Sequence, residues 1–575
     1  MAKRKTSKQK QRGKTANSVS RKLPRISNHG HQPNSHEAAD YLSGLPHELL
    51  LKILKAIPDQ AATYKSCQTY LSLSLTCRSL NRVTTELLYD TYNHRWDKTS
   101  TNFIGTIIKR PDLASLVKGI KEIGPYKEGW APPSPLYCPY ERSKEDIKPI
   151  AAAIRSLGIP GPDTWIQLFQ LGADVHFNLE AALLVCYSHN VQSLSVNSAP
   201  GLISSIPADG DDPFYLLRKP PDSLIPIMYA ARGLPYGRVH QFKSLKRLKI
   251  NMSGMHVHSV SCVLQLPSLR ELILGPCQEF DVDDRPTIRD YDEANISWAC
   301  SPGSSNVVTL RFEESFLYYE TLVNFITSCR SLKTLGFPPP LTGAEEFMQL
   351  LLRRHPGLEN LRIEDCCCLL LEAGRETVGL LPDFRNLKYL ETPLEFMEAA
   401  HDDAVCGFSQ DDSLGVEQPK LALSDFLPSS LETLFLSSLW FTAEEQQEPL
   451  TGHLARLLEG TISALPKLGT VALDYTGDYF GSGGFDCNFC AVAELFQKRG
   501  LRFEYSMGFP KPLPSQWEAQ LGVVRARHGH EAAELERRMW HKPNRNLRLE
   551  SIVPASLDKS RDSYVISEEG VDSGN

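Results

Sequence analysis

The chain has 575 residues, more than one hydrophobic core usually serves, so we expect a small domain, a large domain and disordered ends. Hydrophobic residues make up 41% of the chain and charged residues 23%, a balance that is typical of globular proteins and excludes a fibrous or wholly disordered one. The net charge of -6 and the lack of any run of 18 apolar residues argue against nucleic acid and membrane as partners.

Residues 1–40 are predicted to form a disordered basic tail. Lysine and arginine recur through it, and the first acidic residue is Glu37. Lysine-rich segments of this kind are read by nuclear import receptors, although a simple solubilising tail has the same composition. No apolar signal segment follows, so we expect an intracellular protein, cytoplasmic or nuclear, whose 14 cysteines are reduced thiols.

The segment YLSGLPHELLLKIL, residues 41–54, predicts an amphipathic helix. Its apolar residues recur at spacings of three and four, which is the period of one helix face. The helix is expected to begin near Leu45, with Ser43 as its N-cap and Pro46 in its first turn, and to end at Pro58.

A second apolar helical stretch, YLSLSLTCRSLNRVTTELLYDTY, begins at residue 70. Together, LPHELLLKIL and LSLTCRSLNRVTTELLY resemble the F-box, a small helical module that docks onto the Skp-type adaptor of cullin-RING ubiquitin ligases, and residues 41–95 are assigned to it. Two features depart from the F-box pattern: the connector PDQAATYKSCQTY is longer than usual, and leucine stands at residue 80, where many F-boxes place tryptophan. The resemblance implies these adaptor-binding residues: Leu45, Pro46, Leu49, Leu50, Ile53, Leu54, Leu75, Cys77 and Leu80.

Further along the chain, a pattern with apolar residues at positions 1, 4 and 6 returns nine times. The copies are VQSLSV, LKRLKI, LRELIL, VVTLRF, LKTLGF, LENLRI, LKYLET, LETLFL and LGTVAL. In the more regular stretches their fourth positions are 24 to 29 residues apart, which is the size of a leucine-rich repeat. The units resemble the leucine-rich repeats found behind F-boxes. The fourth positions are Leu194, Leu248, Leu272, Leu310, Leu335, Leu361, Leu390, Leu434 and Val471.

The expected fold class is α/β: a small all-helical F-box followed by an irregular leucine-rich-repeat solenoid, with parallel β-strands on the concave side and helices on the convex side. Residues 96–180 are assigned to a linker and the first helical units, and residues 181–510 to the repeat domain. Residues 511–545 are predicted to be capping helices, and residues 546–575 a disordered tail.

Positions 3 and 5 of each motif are expected to point from the strand into solvent on the concave surface. Basic residues dominate the early repeats and acidic or apolar residues the later ones, which predicts a partner protein with both charges and an exposed apolar anchor. Two aromatic residues are the preferred contacts for that anchor, although an ordinary solvated face is the alternative. The predicted substrate-binding residues are Arg247, Lys249, Arg311, Arg362, Tyr389 and Phe435, of which the last two are the aromatic contacts.

No catalytic or metal site is predicted. CNFC, Cys487 to Cys490, has half of a zinc-site pattern without a second pair of ligands, and DVDDRPTIRDYDE lacks the glycine and final glutamate of a calcium loop. FGSGGFD lacks the Lys-Ser/Thr pair of a phosphate-binding loop, and the 16 histidines form no nucleophile and base set. We therefore expect a non-catalytic chain without a metal or other cofactor.

The resemblance implies the substrate-recognition subunit of an SCF-type (cullin-RING) E3 ubiquitin ligase. Such a chain would bind a Skp-type adaptor, and through it a cullin, with the F-box, and an unidentified protein substrate with the repeat domain. Two alternatives remain open: an F-box scaffold or interaction protein that acts without a ubiquitin ligase, and an enzyme, which would need a cluster of titratable residues in a pocket.

Overall fold

The computed structural model describes residues 44–56, 64–95, 101–123, 144–170, 179–196, 222–252, 255, 257–277, 298–313, 315–340, 342–364, 379–393, 396, 426–438, 464–475 and 495–507. The chain divides into two units, Met1–Thr85 and Glu86–Asn575. The predicted basic tail, capping helices and carboxyl-terminal tail lie outside the described residues. Within the described part of the chain, no helix is long and apolar enough to cross a membrane.

Within the described residues, three helices precede the first strand: α1 (His47–Lys55), α2 (Tyr64–Ser74) and α3 (Arg78–Asp90). Helix α1 begins two residues after Leu45, and the prediction of Ser43 as its N-cap was wrong, because Pro46 is the N-cap with an extended ψ of 144°. The carbonyl oxygen of Pro46 accepts hydrogen bonds from the backbone N–H groups of Leu49 (3.0 Å) and Leu50 (3.1 Å). Proline restrains φ but not ψ, so it can end the extended segment and open the helix at the same residue.

The second apolar stretch forms two helices rather than one, because a turn separates α2 from α3. Thr76 Oγ1 donates a hydrogen bond to the carbonyl oxygen of Leu73 (2.7 Å), and Asn81 Nδ2 donates one to the carbonyl oxygen of Ser74 (2.9 Å). These side chains satisfy carbonyl groups at the end of α2 that have no partner within the helix. The Thr76 and Asn81 side chains therefore stabilise the carboxyl-terminal end of α2.

The second unit contains one sheet of twelve parallel strands, and the strands are paired in their order along the chain. Each of the nine motifs predicted from the sequence lies in one of the strands β3 to β11, so their assignment to parallel strands is confirmed. Three further strands were not part of the motif count: two precede the first motif and one follows the last. The strands are β1 (Thr91–Arg95), β2 (Gly119–Ile123), β3 (Ser193–Val196), β4 (Arg247–Asn251), β5 (Glu271–Gly275), β6 (Thr309–Phe312), β7 (Thr334–Phe337), β8 (Asn360–Ile363), β9 (Tyr389–Pro393), β10 (Thr433–Ser438), β11 (Thr470–Tyr475) and β12 (Arg502–Met507).

The fourth-position residues of the motifs form one continuous buried row across the sheet. Leu194 is paired with Leu248, Leu248 with Leu272, and the row continues in the same register to Val471 on β11. All nine residues are buried. Because side chains alternate between the two faces of a strand, this row defines the core face of the sheet, and positions 3 and 5 of each motif lie on the opposite, non-core face.

Among the described residues, helical segments lie in the connections between several successive strands, which is the usual way to join parallel strands. Their apolar residues, such as Phe325 and Phe347, belong to the same hydrophobic core as the row of leucines. The segments are α4 (Thr101–Lys109), α5 (Pro111–Ala114), α6 (Lys144–Leu157), α7 (Pro162–Gln170), α8 (Leu179–Tyr187), α9 (Ile225–Ala231), α10 (Tyr319–Ser328), α11 (Ala344–Arg354), and the 3-10 helices η1 (Val257–Gln265) and η2 (Leu381–Asp383).

Candidate functional site

Helix α1 carries apolar residues on two faces, and only one face is buried. Leu50 and Leu54, four residues apart, are buried, whereas Leu49 and Ile53, also four residues apart, are each 46% exposed. Residues four apart lie one above the other on a helix, so the second pair forms an apolar stripe on the surface. Glu48 and Lys55 lie at other positions around the helix, while Lys52, three residues after Leu49, borders the stripe.

A second exposed apolar pair lies on α2 and the turn after it. Leu71 is 53% exposed and Leu75 is 85% exposed. The hydroxyl group of Tyr70, next to Leu71, donates a hydrogen bond to the carbonyl oxygen of Leu54 (3.3 Å), which connects α2 to the end of α1. We call Leu49, Ile53, Leu71 and Leu75 the apolar surface of the helical unit.

The structure separates the predicted adaptor-binding residues into two groups. Leu49, Ile53, Leu75 and Pro46 are exposed, while Leu45 and Cys77 are half-buried. The predicted surface role of Leu50, Leu54 and Leu80 was wrong, because all three are buried in the chain. Each helix of so small a unit has to bury one apolar face, and these residues supply it. Leu71, four residues before Leu75, was not among the predicted adaptor-binding residues and is exposed as well.

The non-core face of the sheet carries charged residues on alternate strands of one row. Pairing register aligns Lys249 on β4, Ile273 on β5, Arg311 on β6, Gly336 on β7 and Arg362 on β8. Along this row, basic residues therefore alternate with uncharged ones. A Cβ atom at Gly336 would lie 3.3 Å from Cγ of Arg311, so the missing side chain on β7 makes room for the arginine.

Acidic residues join these basic residues into ion pairs. Lys249 Nζ lies 2.7 Å from a carboxylate oxygen of Glu313, and Arg311 lies 3.7 Å from the other. Arg362 Nε lies 3.0 Å from Glu364 and 3.4 Å from Glu391. Paired charges of this kind tolerate removal from water because each neutralises its neighbour. We call these six residues the charge network.

Burial and charge act in opposite directions on the pKa values of this network. Burial alone would raise the pKa of Glu313, but the Lys249 and Arg311 cations outweigh it and lower the pKa. Burial raises the pKa of Glu364, and the Arg362 cation only partly offsets this effect. For Arg362, the Glu391 and Glu364 carboxylates outweigh burial and raise the pKa, so the guanidinium stays charged.

The prediction that Tyr389 and Phe435 are exposed anchors was wrong. Phe435 is 1% exposed, and it forms a small buried cluster with Tyr389 and Ala472 that is separate from the main core. The Tyr389 hydroxyl donates a hydrogen bond to Glu391 (3.1 Å). Phe435 is paired in register with Glu391 on β9 and with Ala472 on β11, so these residues of adjacent strands cover one another.

Of the four predicted basic contacts, only Arg247 is exposed. Lys249 and Arg362 are half-buried by their acidic partners, and Arg311 is buried, so its predicted exposure was wrong. Glu313 and Glu364, which hold these residues, were missed in the sequence. The sequence did contain a signal for these ion pairs. In RFE at Arg311 and RIE at Arg362 a glutamate follows the arginine by two residues, and the two arginines are aligned in the sheet.

The described residues contain no cluster of three or more His, Cys, Asp or Glu side chains that could hold a metal ion. The cysteines that the structure describes are free thiols. Burial raises the pKa of Cys186 and of Cys329 to about 12, so both stay protonated. The CNFC motif, the glycine-rich FGSGGFD segment and the acidic DVDDRPTIRDYDE segment lie outside the described residues.

Comparison with known proteins does not identify a function, so function is inferred from the apolar surface of the helical unit and the non-core face of the sheet. Neither the scan against protein-family models nor the search of curated proteins returned a match to this chain. The fold itself is an α/β arrangement with twelve parallel strands in sequential order. Fold alone does not specify a ligand, so function has to be inferred from the exposed side chains.

Proposed function

We propose that this chain is the substrate-recognition subunit of an SCF-type (cullin-RING) E3 ubiquitin ligase. In this proposal the helical unit is an F-box that binds a Skp-type adaptor, and the sheet unit is a leucine-rich-repeat solenoid that binds a target protein. The observation that carries the proposal is the apolar surface of the helical unit, which stays exposed although the adjacent face of α1 is buried.

The exposed area is large enough to contribute to docking. Complete burial of a leucine or isoleucine side chain is worth about 1.5 to 3 kcal/mol, so a half-exposed one retains about 1 kcal/mol. Leu49, Ile53 and Leu71 are roughly half exposed and Leu75 almost fully, which gives on the order of 5 kcal/mol in total. Association itself costs at least about 4 kcal/mol, which nearly cancels this gain. Stable docking therefore requires further contacts with the partner helix, for example to Pro46.

The turn between α2 and α3 supports a docking role for Leu75. Leu75 and Thr76 donate backbone hydrogen bonds to the carbonyl oxygens of Ser72 (3.2 Å) and Leu73 (3.1 Å), and Asn81 braces the same turn. The backbone that presents the leucine is therefore fixed before a partner arrives. Fixing a contact in advance lowers the entropy cost of binding.

The sequential parallel sheet supports the repeat-domain part of the proposal. Single strand-and-helix units of this size cannot cover their own apolar strands, so stacking of neighbours is what stabilises them. The resulting non-core face of parallel strands is the surface on which a captured protein would lie. The chain itself performs no chemistry in this proposal: holding the target near the ubiquitin-charged enzyme raises their effective concentration.

Affinity purification of the full chain from cells tests the proposal. The variant Leu49→Asp/Ile53→Asp places two charges in the apolar surface, and we expect it to lose the adaptor and the cullin. The matched control is Lys52→Gln/Lys55→Gln, which changes the net charge of the same helix by the same amount at exposed positions. The control variant should recover both partners at the wild-type level.

Two outcomes count against this function. Equal recovery of the adaptor with both variants shows that the apolar surface does not bind it. Recovery of the adaptor without any cullin indicates a scaffold that acts without a ubiquitin ligase.

A further inference from the structure

The repeats around β4 carry an excess of positive charge within the described fold. From Ser223 to Arg270 the chain has no aspartate or glutamate and seven lysine or arginine residues. This stretch supplies β4 and the segments on both sides of it. The net charge of the whole chain is negative, so this excess of positive charge is a local feature.

Four of the basic residues of β2 to β5 and their edges are exposed: Lys121, Lys246, Arg247 and Arg270. We call them the basic surface. Lys246 and Arg270 immediately precede two adjacent strands, and the backbone N–H of Arg270 donates a hydrogen bond to the carbonyl oxygen of Lys246 (2.9 Å). Arg247 then lies on the non-core face of β4, and Lys121 lies on the same face of β2.

These cations differ from those of the charge network because no acidic side chain is paired with them among the described residues. Lys249 has Glu313 within 2.7 Å, whereas Lys121 and Arg247 have no such contact in this part of the chain. Glu271 is aligned with Arg247 on β5 and marks the limit of the basic surface on that side. The exposed Arg247 guanidinium and Lys121 ammonium can therefore bind carboxylates, and the desolvation cost is small because both cations lie at the surface.

Small hydroxyl side chains lie between the two exposed cations of the sheet face. Register aligns Lys121 with Ser195, and Arg247 with Ser193, so β3 contributes only serines to this part of the non-core face. Adjacent strands are about 4.8 Å apart, and Lys121 lies two residues further along the register than Arg247, which puts the two positions about 12 Å from each other. The serines leave room for a chain to lie over β3 and can donate hydrogen bonds to its oxygen atoms.

From this geometry we propose that the basic surface binds an acidic segment of the captured protein, in an extended conformation, with carboxylates contacting Lys121 and Arg247 on either side of β3. Alternate side chains of an extended segment are about 7 Å apart, a spacing that the long lysine and arginine side chains can follow. The inference rests on the proposed function, because it gives the chemistry of the protein that the sheet unit holds.

A protein segment fits this surface better than nucleic acid. The four cations can neutralise the few carboxylates of a short acidic segment. A nucleic acid carries a phosphate at every nucleotide, so its charges would extend beyond the basic surface on either side. On one side it would meet Glu271, and in the neighbouring rows of the same face it would meet the carboxylates of the charge network. The partner is therefore expected to be acidic only over a short segment.

Fluorescence anisotropy on the full-length chain tests the inference. The probe is a labelled twelve-residue peptide of alternating Glu and Ser, and its matched control replaces every Glu with Gln. We expect the acidic peptide to bind and the Gln peptide not to bind. Raising the salt from about 50 to about 300 mM should weaken binding on the order of ten-fold, because exposed ion pairs are screened.

Two charge-reversal variants locate the contact. Lys121→Glu/Arg247→Glu should raise the Kd for the acidic peptide at least about ten-fold. Lys467→Glu/Arg499→Glu changes the net charge equally, at exposed positions before β11 and before β12, and should change the Kd less than about two-fold. Unchanged thermal unfolding of both variants shows that they fold.

Three results overturn the inference: wild type does not bind the acidic peptide, the two variants lose affinity equally, or a DNA duplex binds more tightly than the peptide through the same two residues. Adaptor recovery separates this inference from the function on which it rests. Lys121→Glu/Arg247→Glu should keep the adaptor, and Leu49→Asp/Ile53→Asp should lose the adaptor while it keeps the peptide.

Discussion

His355 accepts a hydrogen bond at Nδ1 from the backbone N–H of Leu332, at a distance of 3.2 Å. Its other ring nitrogen, Nε2, must then carry the proton, and it donates to the carbonyl oxygen of Ile326 at 2.9 Å. One neutral imidazole therefore links α10, the segment before β7 and the end of α11. Burial lowers the pKa of His355, the bond to Ile326 offsets part of that effect, and the nearby Arg354 lowers the pKa further.

This arrangement predicts a loss of stability in mild acid. The ordinary pKa of histidine is 6.5 and the folded-state pKa of His355 is lower, so the unfolded chain binds more protons as the pH falls. The contribution to the free energy of unfolding is complete above pH 6.5 and is lost as the pH falls below it through the folded-state pKa. Urea unfolding followed by tryptophan fluorescence at about pH 7.5 and about pH 5 measures this change.

His355→Leu should reduce that pH dependence. It should also lower the free energy of unfolding at neutral pH by about 2 kcal/mol, because the Leu332 N–H and the Ile326 carbonyl oxygen lose their hydrogen-bond partner. It should not abolish the dependence, since His240 accepts from the N–H of Phe242 (3.3 Å) and contacts the carbonyl oxygen of Val185 (3.0 Å) in the same way. Gln497→Leu, at an exposed position without a titratable group, is the control and should leave the pH dependence as in wild type. An identical pH slope in His355→Leu and wild type contradicts the assignment.

Arg362→Met should destabilise the second unit by about 3 kcal/mol, because it leaves the Glu364 and Glu391 carboxylates without their shared cation. Urea unfolding at neutral pH measures the loss. Adding Glu391→Gln removes one of the two negative charges and should restore part of the stability. A double variant that equals the sum of the two single variants would show that Arg362 and Glu391 are not coupled.

Gly336→Val should also destabilise the chain, by about 1 to 3 kcal/mol. Its Cβ atom would lie 3.3 Å from Cγ of Arg311, and the two further methyl groups would push the buried arginine away from Glu313. Thermal unfolding measures the effect. Gly105→Ala is the control: nothing lies within 4 Å of its added Cβ atom inside α4, so it should stabilise the helix by about 0.5 to 1 kcal/mol.

Phe435→Ala should cost about 3 to 5 kcal/mol in the free energy of unfolding, because it opens a cavity beside Tyr389 and Ala472. Phe435→Leu keeps most of the volume and should cost less than about 1.5 kcal/mol. Neither variant should change binding of the acidic peptide at a temperature where both are folded. A Phe435→Ala variant of wild-type stability would instead support the exposed anchor that the sequence suggested.

The sequence predicted the core face of the sheet but not the opposite face. Leu248 and Leu272 are apolar at a fixed motif position, and that periodicity reports burial directly. Burial of Phe435 depends on Glu391 and Ala472, which are 44 and 37 residues away in the chain and become neighbours only through strand register. A motif read along one strand contains no information about such cross-strand partners.

The same limit applies to α1, where the sequence marked Leu49 and Leu50 alike as apolar contacts. The structure assigns them different roles, since Leu50 is 2% exposed and Leu49 is 46% exposed. Helical periodicity shows that the two side chains point in different directions, but it does not show which direction is covered. The tertiary contacts of α1 decide it, and the hydrogen bond from Tyr70 to the Leu54 carbonyl oxygen is one of them.

Leu49→Ala and Leu50→Ala should therefore separate adaptor binding from stability. Leu50→Ala removes a buried side chain and should lower the free energy of unfolding of the helical unit by about 2 to 5 kcal/mol. Leu49→Ala should cost less than about 1 kcal/mol in stability, because half of that side chain is already in water, but it should reduce adaptor recovery. Thermal unfolding and affinity purification on the same preparations measure the two effects, and loss of stability in Leu49→Ala equal to that in Leu50→Ala would contradict the assignment of the two faces.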